Sequence, residues 1–509
     1  MRKIADRRLA GGRRLGARHV SRMFVGVAAG LGTLLAGCLS PAPYLRPDVK
    51  VPTAWRVYGH TDRQSDGAPA LDAKSSRTEQ PGSQDDEASG AWYRAFGDPA
   101  LARLVDEVLA VNSRLAQAAV RIHQARLRAD VAASNARPSG SATIGANGSR
   151  APAIPSTPVL QANYSLSLSY ELDVWGKLAA QRDAARWRAL ATEAAHDTIR
   201  TTLISDTADR YWQIGYLHQE LVRNESDIVS AQRTLAVVHG QQAAGAAHGL
   251  DVVNAEQAVA DVQALRLDLQ QQLTQQRNDL AILLDRPPQD GAREPTHLPD
   301  GPLPAVPDTI PAELLSRRPD LRAAELELRA LLANVDEARA QLYPTFSLTG
   351  SAGRSSATLL GLLSSPVTSV GLSMAQPLFD WHKRQLNVGV SQDEYEARAA
   401  SFKETWYRAL ADVDTALSKR WQLVQQARLQ AMSLDQARRA EKLARARFET
   451  GLSDVRPWLE EQRRLRSIQS ARAKNQLEQL SNLVTLYKAL GGDTTAVALR
   501  QGERDLLTQ

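Results

Sequence analysis

One cysteine, Cys38, stands in a chain of 509 residues, so an internal disulfide is excluded. Aromatic residues make up only 5%, which suits long helices better than a compact mixed core. Past the first forty or so residues there is no run of about 18 to 20 uncharged apolar residues, so no transmembrane helix is expected in the mature chain. Chemical signatures are missing too. The sequence has no His-Glu-x-x-His, no phosphate-cradling glycine loop and no cysteine pair, and its 9 histidines are scattered. No enzyme activity, metal or cofactor is therefore expected, and the chain carries no visible energy source.

The formal charge of +6 invites a nucleic-acid reading, but its distribution removes it. Residues 1–37 hold Arg2, Lys3, Arg7, Arg8, Arg13, Arg14, Arg18 and Arg22 against Asp6 alone, so the rest of the chain is slightly acidic. A basic stretch ending near Arg22, an apolar run from Met23 to Leu35, and Leu35-Ala36-Gly37-Cys38 compose a secretory signal with a lipobox-like end. Cys38 is the expected lipidation site, and two or three acyl chains give stable anchoring where one does not. Leu39 follows the cysteine, and by resemblance to sorted lipoproteins it favours the outer membrane.

The expected divisions are a signal peptide at 1–37, a lipid-anchored extended or flexible segment at 38–90, a first repeat at 91–286, a Pro-rich connector at 287–311, a second repeat at 312–492 and a tail at 493–509. The repeat is read from landmarks about 206 residues apart: Pro138 and Pro344, Gly245 and Gly451, Leu284 and Leu490. Tyr170 to Lys177 likewise answers to Pro377 to Arg384. Each copy reads as helix, two strands, then two long helices. Tyr164, Leu166, Leu168, Tyr170 and Leu172 alternate with Ser165, Ser167, Ser169 and Glu171, and Phe346, Leu348, Leu372 and Met374 continue the pattern in the second copy. One face is apolar and the other polar, as in a membrane barrel with a wet interior or a half-buried soluble sheet. Phe402, Trp406, Leu410, Val413, Leu417, Trp421 and Val424 carry an 11-residue spacing that predicts nearly straight helix packing. Val259, Val262, Leu269, Leu273 and Leu280, and then Leu465, Ile468, Leu477, Leu480 and Val484, make narrower stripes with water-facing backs.

Four strands cannot close on themselves, and an open edge in lipid costs several kcal/mol per unpaired backbone group. The smallest membrane barrels need about eight strands. Several chains must therefore contribute, and three would give about twelve strands. Here the residues resemble the TolC-type outer-membrane efflux family, in its NodT-like lipoprotein branch. The resemblance covers about residues 40 to 492. It rests on Trp92-Tyr93-Arg94-Ala95-Phe96-Gly97-Asp98-Pro99-Ala100-Leu101, Arg317-Arg318-Pro319-Asp320-Leu321 with Ala324-Glu325, Tyr343-Pro344, and Gln376-Pro377-Leu378-Phe379-Asp380. His382 departs from it, standing where the family usually has Gly. The fold so implied is an α+β membrane protein: a coiled-coil tunnel plus four strands per chain in a trimeric 12-stranded barrel.

The resemblance also implies a passive exit duct for drugs or other small molecules. Its implied partners are two further copies of the chain, a periplasmic adaptor, an inner-membrane resistance-nodulation-division transporter and outer-membrane lipid, with no nucleic acid. The hairpin tips, with Gly245, Gly249, Asp251, Arg447, Gly451 and Asp454, would form the periplasmic entrance and adaptor dock. Leu459 and Glu460 match the constriction, where three copies of Glu460 would make a cation-attracting ring. A solvated carboxylate at a helix start reads equally well for Glu460. Trp175 and Trp381 fall where strands hand over to helices, fitting interface anchors or plain packing. A type I secretion duct and a lipid-anchored periplasmic coiled-coil adaptor remain as alternatives.

Overall fold

The computed structural model describes residues 43–50, 92–149, 159–288, 290–299, 301, 303–304, 317–356, 366–376 and 378–492. Cys38, the signal segment and the tail lie outside them. A short 3-10 turn, Trp92–Phe96, precedes α1 (Pro99–Val111) and α2 (Ser113–Ser134). Then come β1 (Ser139–Ser149), β2 (Val159–Leu172), α3 (Lys177–Ala243), α4 (Gly249–Leu283), α5 (Pro319–Ala340), β3 (Thr345–Ser356), β4 (Val367–Ala375), α6 (Trp381–Glu449) and α7 (Arg456–Ala489). The chain divides into two compact units. One holds 130–184 and 331–394, with the strands; the other holds 45–129, 185–330 and 395–492. Among the described residues no helix is long and apolar enough to cross a membrane.

The strand unit is one antiparallel sheet in the order β1-β2-β3-β4. Its register sorts side chains by polarity. Ser141 faces Ser167, Ser167 faces Ser351, and Ser351 faces Ser369, so one row of serines crosses all four strands. Hydroxyl pairs at 2.7 Å join the outer members of that row. The next row, on the opposite face, is Gly140, Leu168, Gly350 and Val370, and beyond it Tyr170 lies beside Leu348 and Leu348 beside Leu372. This apolar face is bare: Ile144 is 89% exposed and Val370 83%. Neither β1 nor β4 has a second strand partner among the described residues. Trp175 stacks on Tyr343 at 4.8 Å and donates to the Pro344 carbonyl at 2.8 Å, whereas Trp381 is partly exposed. α6 starts at Trp381, with Arg384 N–H bonding to the Asp380 carbonyl. At the corresponding place before α3, Gly176 takes a positive φ of 76° and Asp173 caps Leu178 and Ala179. His382 takes no such backbone, so the second copy's turn differs from the first.

Two helices are far longer than the rest. α3 has 67 residues and α6 has 69, because neither contains a proline. At 1.5 Å per residue, each is about 100 Å of helix. Gly215 breaks the pattern of α3 for a packing reason: a Cβ there would lie 3.0 Å from the His297 carbonyl oxygen of the connector. That connector is docked, with Leu298 buried and Glu294 held by Arg277 at 2.6 Å and His218 at 2.8 Å. Asp98 caps α1 through Ala100 and Leu101 N–H. Leu101, Leu104, Val105 and Val108 of α1 then pack on Leu203, Ile204, Trp212 and Leu217 of α3. A second core joins Leu321 of α5 to Phe402, Trp406, Ala409, Val413 and Ala416 of α6 and to Leu483 and Leu486 of α7.

That second core corrects the 11-residue spacing. Buried residues of α6 recur as Phe402, Trp406, Ala409, Val413, Ala416 and Leu423, which is a seven-residue period. Ala409 and Ala416 occupy the seam, while Leu410 and Leu417 lie beside it and Trp421 is 41% exposed. Heptad spacing belongs to left-handed supercoils and not to straight packing.

Buried asparagines lock the helix pairs in register. Asn224 of α3 donates to the Val262 carbonyl of α4 at 2.9 Å, Asn475 of α7 to Leu423 O of α6 at 3.2 Å, and Asn482 of α7 to Ala416 O at 2.9 Å. A polar residue in an apolar seam is satisfied in one register only. Asn482→Ala is expected to destabilise the chain by about 1–2 kcal/mol through the lost bond and the void. The urea midpoint of the purified protein measures this, and an unchanged midpoint would show that the bond fixes nothing.

Candidate functional site

The hairpin tips were the sequence's candidate, and they are built alike. At the end of α3, Gly245 N–H bonds to Gln242 O at 2.9 Å and Ala246 N–H to Gln241 O at 2.8 Å. At the end of α6, Gly451 N–H bonds to Phe448 O at 3.0 Å and Leu452 N–H to Arg447 O at 2.8 Å. Both are glycine-terminated Schellman ends, with φ of 73° at Gly245 and 72° at Gly451. A side chain at either position would strain the reversal. Gly249 opens α4. Asp251 sits two residues on, 8% exposed, and its carboxylate accepts from His248 N–H at 2.9 Å. Asp251 therefore satisfies an orphan donor at a helix start, where negative charge is favoured.

One apolar cluster ties the tips of the two hairpins together. Val238 of α3, Val252, Ala255 and Ala258 of α4, Phe448 of α6, Val455, and Trp458 and Leu459 of α7 form it. Phe448 and Trp458 lie 5.3 Å apart, and the Trp458 indole donates to Glu441 at 2.8 Å. Leu459 is buried in this cluster, whereas its neighbour Glu460 is exposed. Arg447 and Asp454 are exposed. Arg447 has no ion pair among the described residues; Arg445 instead bonds Glu449 at 2.8 Å. The sequence reading thus located the turns, but it did not foresee the shared aromatic cluster. Phe448 and Trp458, one on each arm of the second hairpin, were the available signal.

A second feature lay outside the sequence reading. Polar groups run along the seam between α3 and α7. Ser481 lies beside Asp209, Ser470 beside Tyr216 and Glu220, Asp227 faces Arg466, and Gln462 donates to Thr234 at 3.3 Å. Burial pushes the carboxyls of Asp209, Glu220 and Asp227 above their ordinary range. Glu220 is shifted upward even with Arg223 at 2.7 Å. Burial also lowers Arg466. No group of three or more potential metal ligands occurs among the described residues.

Glycine-ended tips, a four-stranded sheet with a bare apolar face and hairpins whose longer arms run 67 and 69 residues suit a membrane duct. The family model described as outer membrane efflux protein matches residues 104–285 and 310–492. The chain belongs to the outer membrane efflux protein family. It is 31% identical over 411 residues to the pyoverdine export outer membrane protein OpmQ of Pseudomonas putida, spanning 79% of this chain and 87% of that protein. It is 31% identical over 412 residues to the toluene efflux pump outer membrane protein TtgI of Pseudomonas putida, spanning 78% and 86%. The solved outer-membrane channel OprN superposes with a TM-score of 0.77 at 26% identity, covering 90% of this chain and 100% of that one. This efflux protein is accordingly an outer-membrane channel of an efflux pump, a transporter and not an enzyme.

The raised carboxyls predict a stability that depends on pH. A carboxyl whose folded pKa exceeds its unfolded value holds its proton better in the fold. Its contribution to stability therefore grows as pH falls through the folded pKa, and it is absent at higher pH. Glu294 and Asp320 oppose this: their ion pairs with Arg277 and Arg318 lower them despite burial, and their stability is lost only in stronger acid. Asp209→Asn is expected to raise the thermal midpoint at pH 7, with the gain shrinking toward pH 5. An equal gain at both pH values would rule out the buried charge as its cause.

Proposed function

We propose that three copies of this chain form a passive exit duct, a 12-stranded barrel in the outer membrane with a helical periplasmic tunnel. In this reading each chain carries two copies of one plan, helices followed by a strand pair and a helical hairpin. One observation carries it: a four-stranded sheet with an exposed apolar face and two edges that no described strand pairs. In lipid such edges must be paired, and only other chains can pair them. The serine row lines the wet interior and the Leu, Val and Ile row meets lipid. Cys38 carries the acyl anchor. A periplasmic adaptor docks at the tips around Gly245, Gly249, Asp251, Arg447, Gly451 and Asp454, and joins the duct to a resistance-nodulation-division transporter.

Leu459 and Glu460 shape the constriction in different ways. Leu459 braces the tip from within, and the exposed Glu460 supplies the charge. Relatives named for pyoverdine and for toluene support small molecules as cargo. The duct does not choose among them, because selection belongs to the transporter.

The acylated protein is expected to purify as a heat-resistant trimer in detergent and to conduct ions in planar bilayers. A water-soluble monomer without conductance would end the proposal. Glu460→Gln is expected to reduce the preference for cations over anions in the same bilayers while leaving the trimer intact. Unaltered selectivity would assign Glu460 to a solvated helix start.

A further inference from the structure

The apolar face of the sheet ends in a charge. Among the described residues, Glu171 and Arg354 are the only charged side chains on the four strands. Glu171 stands on the serine face, opposite Ser347, and is ion-paired to Lys177. Arg354 stands on the other face, opposite Tyr164, which in turn lies opposite Ile144. A cation on a wall of Leu, Val and Ile calls for a partner, because hydrocarbon does not solvate it.

Its height on the sheet says where that partner is. All four strands join their helices at one end, marked by Ser139, Leu172, Thr345 and Ala375. Counted from that end, the apolar face runs through the rows of Phe346, Leu348, Gly350 and Ala352, set against Leu172, Tyr170, Leu168 and Leu166 of β2. The row of Arg354, Tyr164 and Ile144 comes next, and beyond it stand only Ser356, Ala162 and Ala146. The large side chains of this face therefore stop at Arg354. From Thr345 to Arg354 is about 30 Å of strand, or about 23 Å of height at the tilt of a barrel strand. The apolar band of an outer-membrane barrel is about 25 Å tall. Arg354 thus falls at the rim far from the helices, where acyl chains give way to headgroups, and Tyr164 is the kind of ring that settles at such a boundary.

The two residues are held side by side. Gly353 brings β3 close to β2 at this point, since a Cβ there would lie 2.6 Å from the Tyr164 carbonyl oxygen. Arg354 and Tyr164 are both half-buried. A guanidinium stays charged at any working pH and offers a planar fork of donors that matches phosphate oxygens, and a phenol adds one more donor.

We propose that Arg354 and Tyr164 form a lipid-facing site for the phosphate of an outer-leaflet glycolipid, one site in each copy of the chain. The inference rests on the duct proposed above, which sets this face in lipid and this end outward. A phosphate on a lipid headgroup suits the site better than one free in water, because the acyl chains of the same molecule lie along Ile144, Leu166 and Leu168 below it.

The test uses the full acylated protein in detergent, with bisphosphorylated lipid A as the probe and native mass spectrometry as the readout. The wild-type trimer is expected to retain lipid A about tenfold better than the Arg354→Gln trimer. Arg354→Lys, which keeps the charge and loses the fork, falls between them, and Tyr164→Phe gives a smaller loss. Dephosphorylated lipid A is expected to bind wild type as weakly as lipid A binds Arg354→Gln. If Arg354→Gln does not assemble, the preference of wild type for the phosphorylated over the dephosphorylated lipid decides alone. Equal retention of the two lipids, or by wild type and Arg354→Gln, overturns the site and leaves the duct standing. Equal retention of phosphatidylglycerol, or displacement by millimolar inorganic phosphate, overturns the assignment to an outer-leaflet glycolipid. A monomer that does not conduct overturns the duct and the site together.

Discussion

The constraint on which this molecule turns is the hydrogen-bonding of backbone in lipid. Water can satisfy an unpaired strand edge; hydrocarbon cannot, and each orphaned group there costs several kcal/mol. β2 and β3 satisfy each other and their outer neighbours over long registers, Leu172 against Phe346 through Ala162 against Ser356. Among the described residues β1 and β4 each keep one open side. In the proposed barrel this sheet, with its Leu, Val and Ile bare, is half of an interaction that other copies would complete. In that proposal the exposed apolar residues of the sheet are the lipid-facing wall.

The helical unit answers a different demand, which is holding very long helices in one register without a broad apolar core. Alanine at Ala409 and Ala416 lets α6 approach its neighbours, and Asn224, Asn475 and Asn482 each reach a carbonyl across a seam. Such bonds add little net stability and much specificity. The α3–α7 seam goes further in the polar direction, burying Asp209, Glu220 and Asp227 at a cost in desolvation. A seam held by polar groups separates at a lower cost than one filled with leucine. At the tips the apolar cluster that sets Val238 and Val252 with Phe448 and Trp458 holds the two hairpins of one chain together.

Much of this was legible in the residues. Tip glycines 206 apart, alternating Ser and Leu in β2, and the Asp98-Pro99 helix start each have a local physical cause, so the sequence displays them. β1 was harder to see, because Ser139–Ser149 is mostly Ser, Gly and Ala and its strand character comes from pairing with β2. The heptad seam of α6 was hidden because pattern reading follows large side chains, and the seam there runs through alanines. Asp285, at a φ of 53°, ends α4 where a glycine would be expected, and nothing in its neighbours announces that. Asp209, Glu220 and Asp227 of α3 carry no sign of burial in the sequence around them. Only the approach of α7, more than two hundred residues away in sequence, buries them.

Hydrogen exchange in the bilayer-embedded protein tests the central claim most directly. If neighbouring copies pair the open edges, outward-pointing amides of β1 (Ser139–Ser149) and β4 (Val367–Ala375) will exchange as slowly as those between β2 and β3. Fast exchange confined to β1 and β4, with β2 and β3 protected, would mean that the sheet stays open and that the chain does not close a barrel with its own copies.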